Sequence, residues 1–264
     1  LVDALQALGD PRLSVWANKI EIPLVLDPAL PDDSDQIIDG IRYIAQNVAD
    51  EYEATWGVTL NYDPEWVGIP PSVSAAPQYN LNPYLEQGVY NPHCSQLNDI
   101  YKDTHGSLLQ MRLMSAAEVH FILAEAALYG WYTGDAETHY NSGVEQSMNA
   151  WGVGGDYSDY ILGAPYAGLE EIITQKWIAS WTAAAESWFD YRRTGLPVLV
   201  TGETAKRQAL PLRFYYHYND EISLNPENSE AAIDKLESTA FSAPDSKNSA
   251  WSKTWLLQGT SNPY

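Results

Sequence analysis

Between Ser34 and Glu53 the apolar residues Ile37, Ile38, Ile41, Ile44, Ala45, Val48 and Tyr52 recur at three- and four-residue steps. That spacing predicts one amphipathic helix. Asp32, Asp33 and Asp35 would suit the positive end of its dipole, and Gly57 lies just past its end. Residues 54–111 keep no helical period. Pro64, Pro70, Pro71, Pro77, Pro83 and Pro92 punctuate them, and Trp56, Tyr62, Trp66, Tyr79, Tyr84, Tyr90 and Tyr101 decorate them. So long a stretch without period is a binding loop or disordered, and its aromatic content argues for order. An ordered, aromatic-rich excursion is expected.

Helical patterning returns at Ser115. Ser115-Ala116-Ala117-Glu118 has the form of a capping box, followed by a run to Gly130. A second helix opens near Asp135 and carries Ala136, Tyr140, Gly143, Val144, Ser147, Met148 and Trp151. The short connection requires an antiparallel αα-hairpin over 115–151. Ala136, Tyr140 and Gly143 have the small–large–small spacing of the second helix of a tetratricopeptide repeat. A Gly/Tyr/Asp loop follows, then a helix LEEIITQKWIASW and the phrase ESWFDYRRTGLP, where Gly195 and Pro197 end the helix. Residues 198–264 read as loop with one short helix near 229–237, started by Asn228 or Ser229. No long alternating strand pattern occurs, so the class is mainly α.

The 264 residues predict one domain, two at most. Their formal charge of −21 argues against nucleic acid or an anionic membrane surface as a partner through bulk charge. A single cysteine, Cys94, permits no intrachain disulfide. No apolar run approaches the roughly 20 residues of a membrane span. The chain starts at Leu1, already inside a helix-like phrase, and so reads as a processed product or a fragment.

Nucleophile, phosphate-loop and zinc motifs are absent from the sequence. Hydrolysis of a glycosidic bond needs two carboxylates across a cleft. Glu118 and Glu125 are about 10.5 Å apart along one helix face at a 1.5 Å rise per residue, but Glu118 is already explained as a cap. Glu186 and Asp190, beside Arg192 and Arg193, read as a salt-bridge cluster. His120, next to Phe121, reads as a packing residue. Asp27, Asp32, Asp33 and Asp35 resemble a calcium loop only in charge. They read as a solvated face, with a low-affinity Ca²⁺ site as the alternative; no other cofactor is implied.

The aromatic set remains. Of 32 aromatic residues, 10 are Trp and 18 are Tyr, so most rings carry a polar edge. Such rings suit sugars, which present an apolar face and a hydroxylated rim. Trp56, Tyr62, Trp66, Tyr79, Tyr84 and Tyr90 are the candidate carbohydrate-binding residues. For each ring the competing role is to plug a small core beneath the loop.

Several phrases, taken in order, resemble the SusD/RagB family of glycan-capturing outer-membrane lipoproteins. They are Asp10-Pro11-Arg12-Leu13, the run Ser115–Gly130, Tyr140-Asn141-Ser142-Gly143-Val144 with Ser147 and Trp151, Gln175-Lys176-Trp177-Ile178-Ala179, and Glu186 through Pro197. Leu210-Pro211-Leu212-Arg213, Glu221 and Asn225 continue the match, whereas Phe214–Asp220 departs from the family's usual Tyr-Pro step. The resemblance implies a helical, tetratricopeptide-like scaffold with long irregular loops as the ligand face. It implies that residues 1–264 form a single SusD-like unit, the C-terminal portion of a longer, lipid-anchored protein. It also implies oligosaccharide or polysaccharide as ligand, no catalytic step, and a SusC-like TonB-dependent transporter as partner at the bacterial cell surface. Gln175, Lys176, Trp177, Glu186, Trp188, Arg192 and Arg193 would then be structural.

Overall fold

Asp39-Gly40 breaks the stretch whose periodicity suggests a single helix. In the computed structural model, which describes residues 1–73, 91–105 and 112–264, both residues have left-handed backbone, with φ of 49° and 80°. They turn strand β2 (Asp35–Ile38) onto strand β3 (Ile41–Ile44), with Ile38 opposite Ile41. Positive φ at both central positions is what a tight two-residue hairpin requires, and Asp-Gly supplies it cheaply. Strand β1 (Leu24–Leu26) adds in parallel on the other side of β3. The single helix expected over 34–53 is therefore corrected to a hairpin and a shorter helix α3 (Gln46–Trp56). The isoleucine spacing fits a helical stripe and does not alternate, but the β-branches favour strand. Gly57 does end the helix, at φ 65°, with its N–H on the Glu53 carbonyl.

The chain divides into two compact units, Leu1–Thr182 with Gly202–Ala205, and Ala183–Thr201 with Lys206–Tyr264. In the first, helices α1 (Val2–Ala7) and α2 (Arg12–Trp16) precede the small sheet. The αα-hairpin follows as α4 (Ala116–Leu128) and α5 (Ala136–Ala150). The Ser115 hydroxyl accepts from the Glu118 amide at 3.1 Å, and the Asp135 carboxylate from the Thr138 amide at 2.7 Å. Tyr140 is buried and donates to the Ala164 carbonyl at 2.7 Å. Gly143 leaves room for the Phe121 ring: a Cβ there would stand 2.8 Å from it and force a shift. The loop expected after the hairpin contains a further helix, α6 (Tyr157–Gly163), before α7 (Leu169–Ala179). Tyr160 of α6 is buried in the hairpin core; burial of this one ring favours a helix that local composition did not suggest.

One buried arginine ties distant phrases together. Arg12, with no exposed surface, donates from Nε to both oxygens of Asp10 and meets Asp10 Oδ2 again through Nη2 at 2.5 Å. It also donates to Ser147 Oγ at 2.7 Å, Gln175 Oε1 at 3.2 Å and Tyr160 Oη at 3.3 Å. Nearby, Trp16 stacks on Trp181 and meets Trp151 edge-on.

The second unit holds α8 (Ala184–Thr194) and α9 (Pro226–Asp234). Gly195 closes α8 in the left-handed conformation, as the sequence implied. Helix α9 starts three residues earlier than expected, because Pro226 suits the first helical position. Arg193 pairs with Asp190 at 2.9 Å within α8, and the Arg192 guanidinium lies 4.3 Å from the Trp188 ring. Arg207 is held between Asp245 and the Trp251 ring.

Candidate functional site

Helix α3 carries two rings one turn apart, Tyr52 and Trp56, on a face that also packs against the sheet core. Outside that core the rings border a cleft of about 410 Å³, lined also by Asp33, Asp35, Val48, Glu51 and Thr55. Its walls are held from below. Arg42 on β3 is fully buried and grips Asp35 with two donors, Nε to Oδ1 at 2.8 Å and Nη2 to Oδ2 at 2.6 Å. Nη2 also donates to Tyr52 Oη at 2.9 Å, which fixes the ring that faces the cleft. Burial opposes the charge on Arg42, but the hydrogen bonds it donates to Asp35 and Tyr52 more than offset it and leave its pKa raised.

Behind Arg42 stands His93. Its Nδ1 is 2.6 Å from the Ile22 carbonyl and its Nε2 is 3.1 Å from Arg42 Nη1. A carbonyl can only accept, so Nδ1 carries the proton and Nε2 accepts from the guanidinium. Burial, with the neighbouring Arg42 charge, lowers the His93 pKa and keeps the ring neutral. At the rim, Asp33 adopts φ 63° and exchanges two hydrogen bonds with Asn47, at 3.0 and 2.7 Å. Ring, acid and amide are thus set in place by the fold, as a binding surface requires.

The expected ring residues do not gather in one place. Trp56 lines the cleft described above. Tyr62 packs half-buried against the sheet core, and burial followed by Glu53 and Asp50 raises its pKa. Trp66 packs toward the Trp16 core and borders a separate hollow with Pro11, Lys19 and Glu65. Tyr79, Tyr84 and Tyr90 lie outside the described residues. Sequence reasoning counted Tyr52 only as part of a helical stripe and missed it as a site residue. The four-residue interval to Trp56 was the available signal. It also left unassigned the hairpin turn, where Trp131 is 77% exposed and stacks on Tyr129 at 5.0 Å.

Glu118 and Glu125 are both buried on α4, and Asp190 is paired with Arg193. Among the described residues, no group of three or more histidine, cysteine or acidic side chains is arranged to hold a metal ion.

Residues 69–217, more than half of the chain, match a SusD-like family model described as starch-binding and associating with the outer membrane. The chain belongs to the SusD-like family. Among solved structures it is similar to a SusD homologue of Bacteroides fragilis, with 22% identity and a TM-score of 0.62 over 98% of this chain and 51% of that one. It is also similar to a chitin-binding protein, with 23% identity and a TM-score of 0.58 over 96% and 48% of the two chains. A SusD homologue of Bacteroides vulgatus gives 22% identity and a TM-score of 0.57 over 98% and 48%. These likenesses show the fold. No curated protein matches the chain. The chain spans about half the length of the solved relatives it matches. The mainly helical, tetratricopeptide-like scaffold expected from the SusD-like resemblance is the one found, while much of the 54–111 excursion lies outside the described residues.

Proposed function

We propose that this chain is the sugar-holding portion of a bacterial cell-surface protein that captures oligosaccharide or polysaccharide without transforming it. It then passes the glycan to a SusC-like TonB-dependent transporter in the outer membrane. Attachment to that membrane is through a lipid anchor outside this chain. One observation carries the reading: two rings one helical turn apart border an open cleft whose polar rim is held rigid from beneath. A pyranose stacks its apolar face on such rings and offers its hydroxyls to the rim. Family membership and the relative named for chitin binding support a carbohydrate ligand.

The cleft carboxylates invite a second reading, glycoside hydrolysis, which needs a carboxyl group able to donate a proton. Asp35 has both oxygens occupied by Arg42 and is a poor candidate for that role. Membership of a family described as starch-binding makes binding the better-supported function. Affinity electrophoresis against soluble polysaccharides tests it. Trp56→Ala should weaken retention at least several-fold, by analogy with the 1–3 kcal/mol typical of a ring stacked on a base. Retention unchanged in Trp56→Ala would move the site elsewhere. Sustained release of reducing ends would make the protein a hydrolase. A blank glycan screen with the transporter co-purifying would make it a structural lid.

A further inference from the structure

The wall of the Trp56 cleft carries charge of one sign. From Ile20 to Val73 the sequence has eleven acidic residues and one basic residue, Arg42. Arg42 is fully buried and committed to Asp35, so that pair is neutral as a unit. Two further carboxylates line the cleft, Asp33 and Glu51, and both are exposed. Asp33 is hydrogen-bonded to the neutral amide of Asn47. Among the described residues neither acid meets a Lys or Arg. Among the described residues no guanidinium or ammonium lines the cleft, although acidic ligands are usually received by such groups.

We infer that the cleft selects its glycan by charge: it prefers sugars bearing a free amino group, accepts neutral ones, and rejects uronate and sulfated chains. This rests on the reading that the cleft holds sugar. The physical argument has two parts. Tyr52 and Trp56 stack any pyranose with an apolar face and do not discriminate by charge. Discrimination then falls to Asp33 and Glu51. They attract an ammonium through charge-assisted hydrogen bonds and repel a carboxylate or sulfate that has no compensating cation. At about 4 Å in water one unit-charge contact is worth roughly fivefold in affinity, and more where solvent is excluded. Salt weakens it, since the screening length is about 10 Å at 0.1 M.

Isothermal titration with three oligosaccharides of equal length tests the inference: glucosamine oligomers with protonated amines, their N-acetylated counterparts, and galacturonate oligomers. At low salt the amine-bearing oligomer should bind about five- to thirtyfold tighter than the N-acetylated one, and the gap should close at high salt. The galacturonate oligomer should not bind. Glu51→Gln should reduce the amine-to-acetyl ratio about fivefold, and Asp33→Asn serves as the independent second variant. Equal binding of all three, galacturonate binding at least as tight as the N-acetylated oligomer, or a ratio untouched in both variants overturns the inference. If Trp56→Ala abolishes binding while the charge variants change nothing, the cleft holds sugar but does not sort it. If the amine preference survives Asp33→Asn and Glu51→Gln combined in one chain, it is general attraction to an acidic protein, and the inference falls. If no oligosaccharide binds, both readings fall.

Discussion

Two arginines of the first unit are fully buried, and the contrast between them separates scaffold from site. Arg12 and Asp10 are both sealed from water, and their partners Ser147, Tyr160 and Gln175 come from three helices of the hairpin region. Arg42 does the same chemistry at the edge of a cleft. Its partner Asp35 keeps 19% of its side chain in contact with solvent, and Tyr52, which it also holds, faces the cleft. A charged cluster closed on every side can only hold elements together. The same cluster with one face open can also orient groups toward a ligand. Burial alone does not distinguish the two, because both guanidinium groups are wholly enclosed.

The largest expected effect tests the closed cluster. Arg12→Met leaves Asp10 buried without its cation, which should cost about 3–5 kcal/mol of stability in chemical denaturation. Arg42→Met should cost less, because Asp35 can turn to water. Equal losses would remove the distinction.

Next is Gly143→Ala, which forces a Cβ against Phe121 and should destabilise by about 1–3 kcal/mol without touching glycan retention. Function should separate the two arginines as well. In folded variants, Arg42→Lys should lower glycan retention by loosening Asp35 and Tyr52, whereas Asp10→Asn should leave it unchanged. Retention lost equally in both would show that the open face has no special role.

A smaller effect is expected in the pH dependence, because the Arg42 cluster contains a histidine and the Arg12 cluster does not. The folded His93 pKa is lowered by burial, so below about 6.5 the unfolded chain binds a proton that the folded chain resists. That stability is present above about pH 6.5 and is lost as pH falls toward the folded pKa. The slope contributed is at most about 1.4 kcal/mol per pH unit. His93→Gln should remove this component of the acid-side slope, and an unchanged slope would assign it to other groups. Smallest is Ser115→Ala, which removes one helix cap at a cost of about 1 kcal/mol.

The helices were legible wherever a local device marks them. Ser115, Asp135, Gly57 and Gly195 act through their own backbone neighbourhood, and each ends or starts a helix as its chemistry requires. The hairpin at 35–44 was not legible from apolar spacing, since the four isoleucines fit a helical stripe and do not alternate. The turn residues Asp39 and Gly40 carried the decisive signal. The candidate site was half legible. Trp56 was named from composition, but its partners Tyr52, Asp33 and Glu51 come from an adjacent turn of helix and a rim that only the hairpin brings alongside.

Short-range chemistry in the chain therefore determined the helical class, the αα-hairpin and the surplus of rings with polar edges, because caps, turns and side-chain type act over a few residues. Which ring faces solvent, and which arginine lies under a cleft, was decided by packing. Those outcomes depend on contacts such as Arg12 with Gln175, 163 residues away in sequence, and on the small sheet that sets Asp35 beside Arg42 and Tyr52. No local pattern encodes them, since the same residues are equally compatible with a buried or an open partner until the whole unit has closed.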